Sequence, residues 1–567
     1  PVPAQRNHRL TSRVADRELT ASKGYQFPVG WTTGDKRLMK TPFTRRHFLN
    51  LVGAAGGATA VYQTSRAMGL LEDTGPVAQL DLKEVGRGNK SVAILGAGIA
   101  GLSIAYELER AGYDVTIIEA SHRIGGRNLT IRHGDVIDEM GNRQVCQFDD
   151  DPNLFFNAGP ARVPGHHRRV MHYCKALDVP LIVKANSGRQ AYTHQEDLFD
   201  GKPVRVGRYM ADGRGFLSEL LYKAVDKNAF DQPLSGEDRE RLMRLARTYG
   251  DLREDGRYTG SLRAGYKSGG FATDAEQFDP LDFRAMLDSQ FWQFSGFYLE
   301  SPDYAEPLLE AVGGMDNIVK GFVRNIRSPI LLNAQVQSIE LQQDGVDVVY
   351  NHKGERRKFS ADYCFNSIPA YFMRGIPNNL PDNYMEALNS MRQGWGVKVG
   401  LQMRERFWER EGIYGGMTTT SQRIGQIWYP SHDIHREKGV VLGAYQFYDP
   451  TGFFDRMTPA ERVEYAGKCG DKIHEGYSSY IESGVSVCWR RMNHMMGCGA
   501  GWGWGAEDQR EKYYPVLQQP AGGRHYMVGD QISHHSSWQE GAFASAEFAL
   551  LDLDRRVRAE FGESRKA

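Results

Sequence analysis

The chain of 567 residues carries no excess of either charge: Lys+Arg and Asp+Glu both number 70. A nucleic-acid or anionic-membrane binder needs a basic surplus, so no nucleic-acid partner is expected. Cysteine is scarce. Cys146, Cys174, Cys364, Cys469, Cys488 and Cys498 form no C-x-x-C pair, which removes zinc knuckles and a dense disulfide framework; no metal is expected. The apolar stretch "LVGAAGGATAVY" (51–62) is too short and too glycine-rich to span a bilayer, so no stable membrane insertion is expected. Hydrophobic residues at 41% and charged residues at 25% are otherwise ordinary for a globular chain. Glycine, by contrast, is abundant at 63 residues, about 11% against a usual ~7%. Much of it falls in loops where backbone must approach a ligand.

An arginine pair and an aromatic, "TRRHFLN" (44–50), precede that apolar stretch. The pattern resembles a twin-arginine export signal, and the other reading is an amphipathic helix at a domain edge. Export to a periplasmic or secreted location is expected if the signal is used, and a cytoplasmic location if it is retained unused. The polar first 90 residues can also wrap a partner subunit, so a homo-oligomer (dimer or larger) is expected.

The length predicts two or three substructures. Residues 91–118 read as one βαβ unit: "SVAILG" as a buried strand, "AGLSIAYELERAG" with helical apolar spacing, and "YDVTIIE" as a second strand. Residues 166–325 read as mostly helical, with Ser235 as a cap before "GEDRERLMRLARTY". A hairpin is signalled at Asp344-Gly345, and a long helix closes the chain after "RHYMVGDQ". Between the strand and the helix of the βαβ unit lies "GAGIAG". Its Gly96, Gly98 and Gly101 permit the tight turn, the close approach of a pyrophosphate and the helix packing of a dinucleotide fingerprint. Glu119 closes the second strand, where a carboxylate can accept ribose hydroxyls.

The residues that follow, "EASHRIGGRN" (119–128), resemble the extended fingerprint of the flavin amine oxidase superfamily. The resemblance continues through "LNAQVQSIE", "MRQGWGVKVGLQMRERFWE" and "MVGDQISHHSSWQEGAFASAEFAL", and is closest to bacterial FAD-dependent L-amino-acid oxidases. It implies an α/β (α+β mixed) fold: a Rossmann-like FAD-binding domain in three pieces (91–165, 326–370, 496–567), a mixed-sheet substrate-binding domain (371–495) and the inserted helical region (166–325), after an N-terminal extension (1–90). It also implies roles in FAD binding for Arg123, Gly125, Gly126 and Arg127 at the phosphates and for the Val336 backbone at the adenine. Gly529 and Asp530 would meet the pyrophosphate or ribityl chain, and Ala542 would sit near the flavin end. Gly159, Pro160, Ala161 and Trp538 complete the cofactor-facing set. The position matching a covalent-flavin cysteine falls near Ala500 rather than Cys498, so non-covalent FAD is expected.

The same resemblance makes Lys398 the lysine that assists reaction with oxygen; the bland alternative is a half-exposed strand lysine. Trp538 and Trp502 would wall the substrate amine, with Trp504 more readily read as core. "GPARVP" resembles the segment in which an arginine grips a substrate α-carboxylate, and guanidinium and carboxylate match as a bidentate pair. Arg162 takes that part, against a cofactor or structural contact. Tyr429 is the implied helper, with Trp428 its rival because a one-residue shift swaps the inward side chain. His166 and His167 stand beside this site as proton carriers or as solvated surface histidines. The implied activity is oxidation of an L-amino acid by oxygen to a 2-oxo acid, ammonia and hydrogen peroxide. The alternatives are an amine or polyamine oxidase, a decarboxylating amino-acid 2-monooxygenase, and a non-catalytic binding protein on the same scaffold.

Overall fold

The computed structural model describes residues 90–230, 233–292, 300–447, 451–503 and 506–564. The arginine-pair segment and Trp504 lie outside them. The βαβ unit forms as the pattern predicts, with β1 (Ser91–Leu95), α1 (Ile99–Arg110) and β2 (Asp114–Ile118). Val92 to Leu95 are all fully buried, as a strand covered on both faces requires. Three further strands join it in a five-stranded parallel sheet, in the order Ile330–Leu331, β2, β1, Tyr363–Asn366, His525–Met527. The final helix, Gln539–Ser564, lays Ala542, Phe543, Ala546 and Leu550 into one core with Leu102 and Ala105 of α1. The hairpin at Asp344-Gly345 links Ala334–Leu341 to Val346–His352 within a three-stranded antiparallel sheet.

A second sheet is mixed and has seven strands. Its centre is Gln426–Trp428, Gly439–Phe447 and Gly396–Met403, with Ile481–Cys488 at the edge. The block expected to be mostly helical does supply Val206–Asp226 and Gly236–Gly250, the latter capped by Ser235 accepting the Asp238 N–H at 3.1 Å. It also supplies Tyr192–His194 and Val204–Arg205 to this sheet. Strands this short have no alternation to read, and only their neighbours define them.

Side-chain alternation gives the seven-stranded sheet two distinct faces. Val399, Leu401, Ile427, Tyr429 and Val441 share one core. Trp428, Leu442, Val485 and Val487 share another with Phe156, Ala158 and Trp489. Gly400 explains how the second face reaches the segment around residue 156: a Cβ there would lie 2.5 Å from the Phe156 ring. Only glycine lets that segment settle on the strand beside Lys398.

Candidate active site

Arg162 sits between two short strands, Phe156–Asn157 and Val163–Pro164. The first pairs with Thr130–Ile131 and the second with Leu308–Leu309, so the turn is held at both ends. Its carbonyls are also committed. Lys398 Nζ donates to the oxygens of Asn157 and Gly159, and Trp489 Nε1 donates to that of Ala158 at 3.1 Å. The Arg162 guanidinium donates to Asn186 Oδ1 at 2.9 Å. Three rings surround it, with centroids at 4.6 Å for Tyr304, 4.7 Å for Trp428 and 5.6 Å for Trp538. Among the described residues no carboxylate forms an ion pair with Arg162. An arginine held by rings and one amide keeps most of its donor fork available for an incoming anion.

Lys398 lies on the same face, with its ammonium 4.6 Å from the Tyr445 ring centroid. Tyr445 in turn meets the Trp428 ring edge-on at 5.2 Å. Burial, reinforced by the charges of Arg162 and Lys184, pulls the Lys398 ammonium down to about 7. Lys184 itself is buried against Glu310, 2.9 Å away, and His432 approaches the other Glu310 oxygen at 3.0 Å. Burial favours a protonated Glu310, but Lys184 and His432 together hold its carboxyl well below the usual range. The pocket therefore collects three cationic side chains, and Glu310 is engaged by one of them.

Two expected substrate residues lie elsewhere. Tyr429 turns to the opposite sheet face, where its hydroxyl meets His474 Nε2 at 2.6 Å and Thr418 Oγ1 at 2.8 Å. Trp428, its rival, faces Arg162, because neighbours along a strand point to opposite sides. Trp502 leaves the strand Gly499–Gly501 and packs beneath the helix Glu507–Leu517. There its indole donates to Ser390 Oγ at 2.7 Å and stacks on Tyr513. Trp538 does join the pocket. Tyr304, Asn186, Lys184 and Tyr445 escaped the sequence reading. The one local signal was a lysine ending the apolar strand "LIVK"; Tyr304, in "SPDYAEP", gave none.

The dinucleotide cradle adjoins this pocket through the turn that carries Gly159. Gly96 has φ +102°, and a Cβ on Gly101 would lie 2.1 Å from the Gly96 carbonyl. A Cβ on Gly98 would meet nothing within 4 Å. Above Gly98 the N-terminus of α1 presents its backbone N–H groups without a side-chain cap. That is the open, positive, backbone-lined surface a pyrophosphate requires. The second glycine pair buttresses the first: Gly125 N–H donates to Ala97 O at 2.8 Å, and Gly126 comes against Gly98. Glu119 accepts from Ala97 N–H at 2.6 Å and Ser121 N–H at 2.8 Å. Each oxygen keeps a lone pair for a ribose hydroxyl.

Arg127 forks onto both oxygens of Asp530 and also donates to the Cys498 carbonyl at 3.0 Å. Arg123 donates to the Gly126 carbonyl. Gly529, at φ +108°, has its N–H on Ser545 Oγ, and Ala542 lies in the first turn of the final helix. Val336 sits next to a β-bulge that interrupts its ladder. Pro160 and Ala161 are half-buried beside Gly159. These residues fit a flavin dinucleotide, whose phosphates the open N-terminus of α1 could hold.

Comparison with known proteins agrees. The family model described as flavin containing amine oxidoreductase matches residues 99–549. A flavin-dependent L-tryptophan oxidase of Lentzea aerocolonigenes is 27% identical over 503 residues, 82% of this chain and 98% of that one. An L-amino-acid oxidase of Gloydius halys is 30% identical over 385 residues, 65% of this chain and 70% of that one. Cyclohexylamine oxidase from Brevibacterium oxydans IH-35A superposes with a TM-score of 0.55 at 16% identity, covering 83% of this chain and 100% of that structure. At that identity the likeness speaks for the fold alone.

Proposed function

The chain belongs to the flavin-containing amine oxidoreductases, and from that premise we propose that it oxidises L-amino acids, with oxygen as acceptor, to 2-oxo acid, ammonia and hydrogen peroxide. One observation carries the choice of substrate: Arg162 lies in a three-ring cage without a carboxylate partner among the described residues. An amine substrate is a cation and would enter a pocket already holding Arg162, Lys184 and Lys398. An amino acid brings the missing carboxylate. The names of the relatives, an L-tryptophan oxidase and an L-amino-acid oxidase, support the same class.

In this reading the α-carboxylate forks onto Arg162, with Asn186 fixing the guanidinium plane. Tyr304, Trp428 and Trp538 exclude water and accept a large apolar or aromatic side chain. Fixing the carboxylate orients the α-carbon, and orientation is the protein's main contribution to such a step. Non-covalent FAD, when bound, supplies the hydride acceptor and passes the electrons to oxygen. Lys398 Nζ, poised at about 7, can hold a proton or a water at the inner end of the pocket and favours negative charge arising there.

Peroxide release from a panel of L-amino acids and their decarboxylated amines tests the reading. Turnover of amino acids at rates well above the amines is expected; preference for the amines would assign an amine oxidase. Carbon dioxide and amide in place of ammonia and 2-oxo acid would assign the decarboxylating monooxygenase.

A further inference from the structure

His166 and His167 are not two independent surface histidines. Both point Nε2 at the same oxygen, Oδ1 of Asp303, at 2.9 and 3.0 Å. His167 is 1% exposed, while the His166 side chain remains 37% exposed and open to solvent. The three candidate ligand atoms lie within 4.8 Å of one another. A third imidazole, His535, stacks on His167 with centroids 6.0 Å apart.

We propose that His166, His167 and Asp303 bind a zinc-class divalent ion at the rim of the substrate pocket, and that the ion clamps the Tyr304 segment over Arg162. Two imidazoles and one carboxylate are the donor set of zinc rather than of magnesium or calcium, which take oxygen ligands. Zinc–ligand bonds of about 2.0–2.2 Å place tetrahedral ligands roughly 3.3 Å apart. The two N···O separations already approach that spacing, and only the pair of nitrogens has to draw in. Ligating rings then stand about 5 Å apart, centre to centre, and the His166–His167 separation is 4.7 Å. A water completes the fourth position.

The clamp follows from what each ligand is attached to. His166 and His167 end the arginine turn, and His167 meets the Trp538 ring edge-on at 5.1 Å. Asp303 directly precedes Tyr304, whose ring covers the Arg162 guanidinium and lies 5.7 Å from Trp538. The Tyr304 segment meets the arginine side through Asn186 Nδ2 to Tyr304 O at 3.2 Å, Asn186 N–H and Ser187 N–H to Glu306 at 2.7 and 3.2 Å, and Gly165 N–H to Pro307 O at 3.2 Å. Exchanging two hydrogen bonds for three metal bonds pins that segment and slows the passage of substrate past it.

Titrating metal-stripped holoenzyme with Zn2+ by calorimetry tests the site. One saturable equivalent is expected, with no heat from Mg2+. His166→Ala and Asp303→Asn, confirmed as folded by their melting curves, should each weaken binding by more than about 100-fold. His435→Ala, at an exposed histidine outside the cluster, should leave it unchanged. The clamp rests on the oxidase reading and predicts that saturating Zn2+ lowers kcat/KM for an amino acid at least tenfold in the wild type, and not in His166→Ala. Absent or non-saturable binding, equal affinity in His166→Ala, or kcat/KM indifferent to Zn2+ overturns the proposal. If no amino acid turns over, the oxidase reading fails while the titration still decides the site.

Discussion

The cradle around Gly98 and the pocket around Arg162 adjoin at Gly159, yet they are made of opposite materials. The cradle is backbone: glycines at residues 96, 98, 101, 125 and 126, and the uncapped end of α1. The pocket is side chain, drawn from segments as separate as Arg162, Lys184, Tyr304, Lys398, Trp428 and Trp538. A backbone site binds whatever carries phosphate and fails when any Cβ intrudes. A side-chain site chooses among substrates, and each residue can be exchanged to a graded extent.

The largest test of that contrast is Arg162→Met. Losing a bidentate, charge-assisted pair in a pocket walled by rings should lower kcat/KM for amino acids on the order of 10^3-fold, about 4 kcal/mol of transition-state stabilisation. The flavin absorbance of the purified protein should be unchanged, because the cradle does not use this side chain. A drop smaller than tenfold would remove Arg162 from the substrate, and loss of flavin would move it into the cradle.

The two regions also differed in how far they could be read in advance. Each cradle glycine has a local reason that shows in a short stretch: a positive φ at Gly96, a helix pressed on a turn at Gly101, an open approach at Gly98. The pocket depends on which face of a strand a side chain takes. Tyr429 and Trp428 are neighbours, and no local feature says which faces inward; the pairing of Trp428 with Leu442 and Met417 decides it. Tyr304 arrives from a proline-bracketed loop with no periodicity at all. Trp502 was placed by its glycine-rich neighbourhood, but pairing of Gly499–Gly501 with Arg392–Gly394 carries the chain beyond it away from Arg162.

Lys398→Met comes next in expected size. If a buried cation eases the oxygen reaction, turnover at saturating amino acid should fall roughly 10^2-fold, and wild-type turnover should decline as pH rises through about 7. Stability supplies an independent sign. The lysine is charged in the unfolded chain up to ~10.4 but in the folded protein only to about 7. Between those values the unfolded chain holds the extra proton, so the residue's destabilising effect is full below about 7 and fades as pH rises toward ~10.4. The melting temperature of Lys398→Met relative to wild type should therefore be more favourable at about pH 6 than at about pH 10. A flat difference would mean the ammonium is solvated.

Gly98→Ala probes the cradle alone. The added Cβ meets no protein atom within 4 Å, so the flavin-free protein should melt within about 1 °C of wild type. If the pyrophosphate passes over Gly98, the methyl takes its space, and FAD affinity should fall at least about tenfold by fluorescence titration. Unaltered affinity would show that the phosphates do not pass over Gly98, and the contrast between the two regions would lose its first half.

The smallest kinetic effect belongs to Tyr429→Phe, and it sharpens the contrast most economically. If the outer sheet face takes no part in catalysis, KM for amino acids should stay within about twofold. Stability should nevertheless drop, because the change leaves His474 Nε2 without the partner it has at 2.6 Å, while Thr418 Oγ1 still accepts the Tyr192 N–H. A buried polar group stripped of its partner costs ~1–3 kcal/mol, visible as a lower denaturation midpoint. Trp428→Leu should show the inverse, a raised KM with a modest change in midpoint. Should Tyr429→Phe raise KM instead, the strand register would be off by one residue, and with it the assignment of Lys398 and Trp428 to a common face.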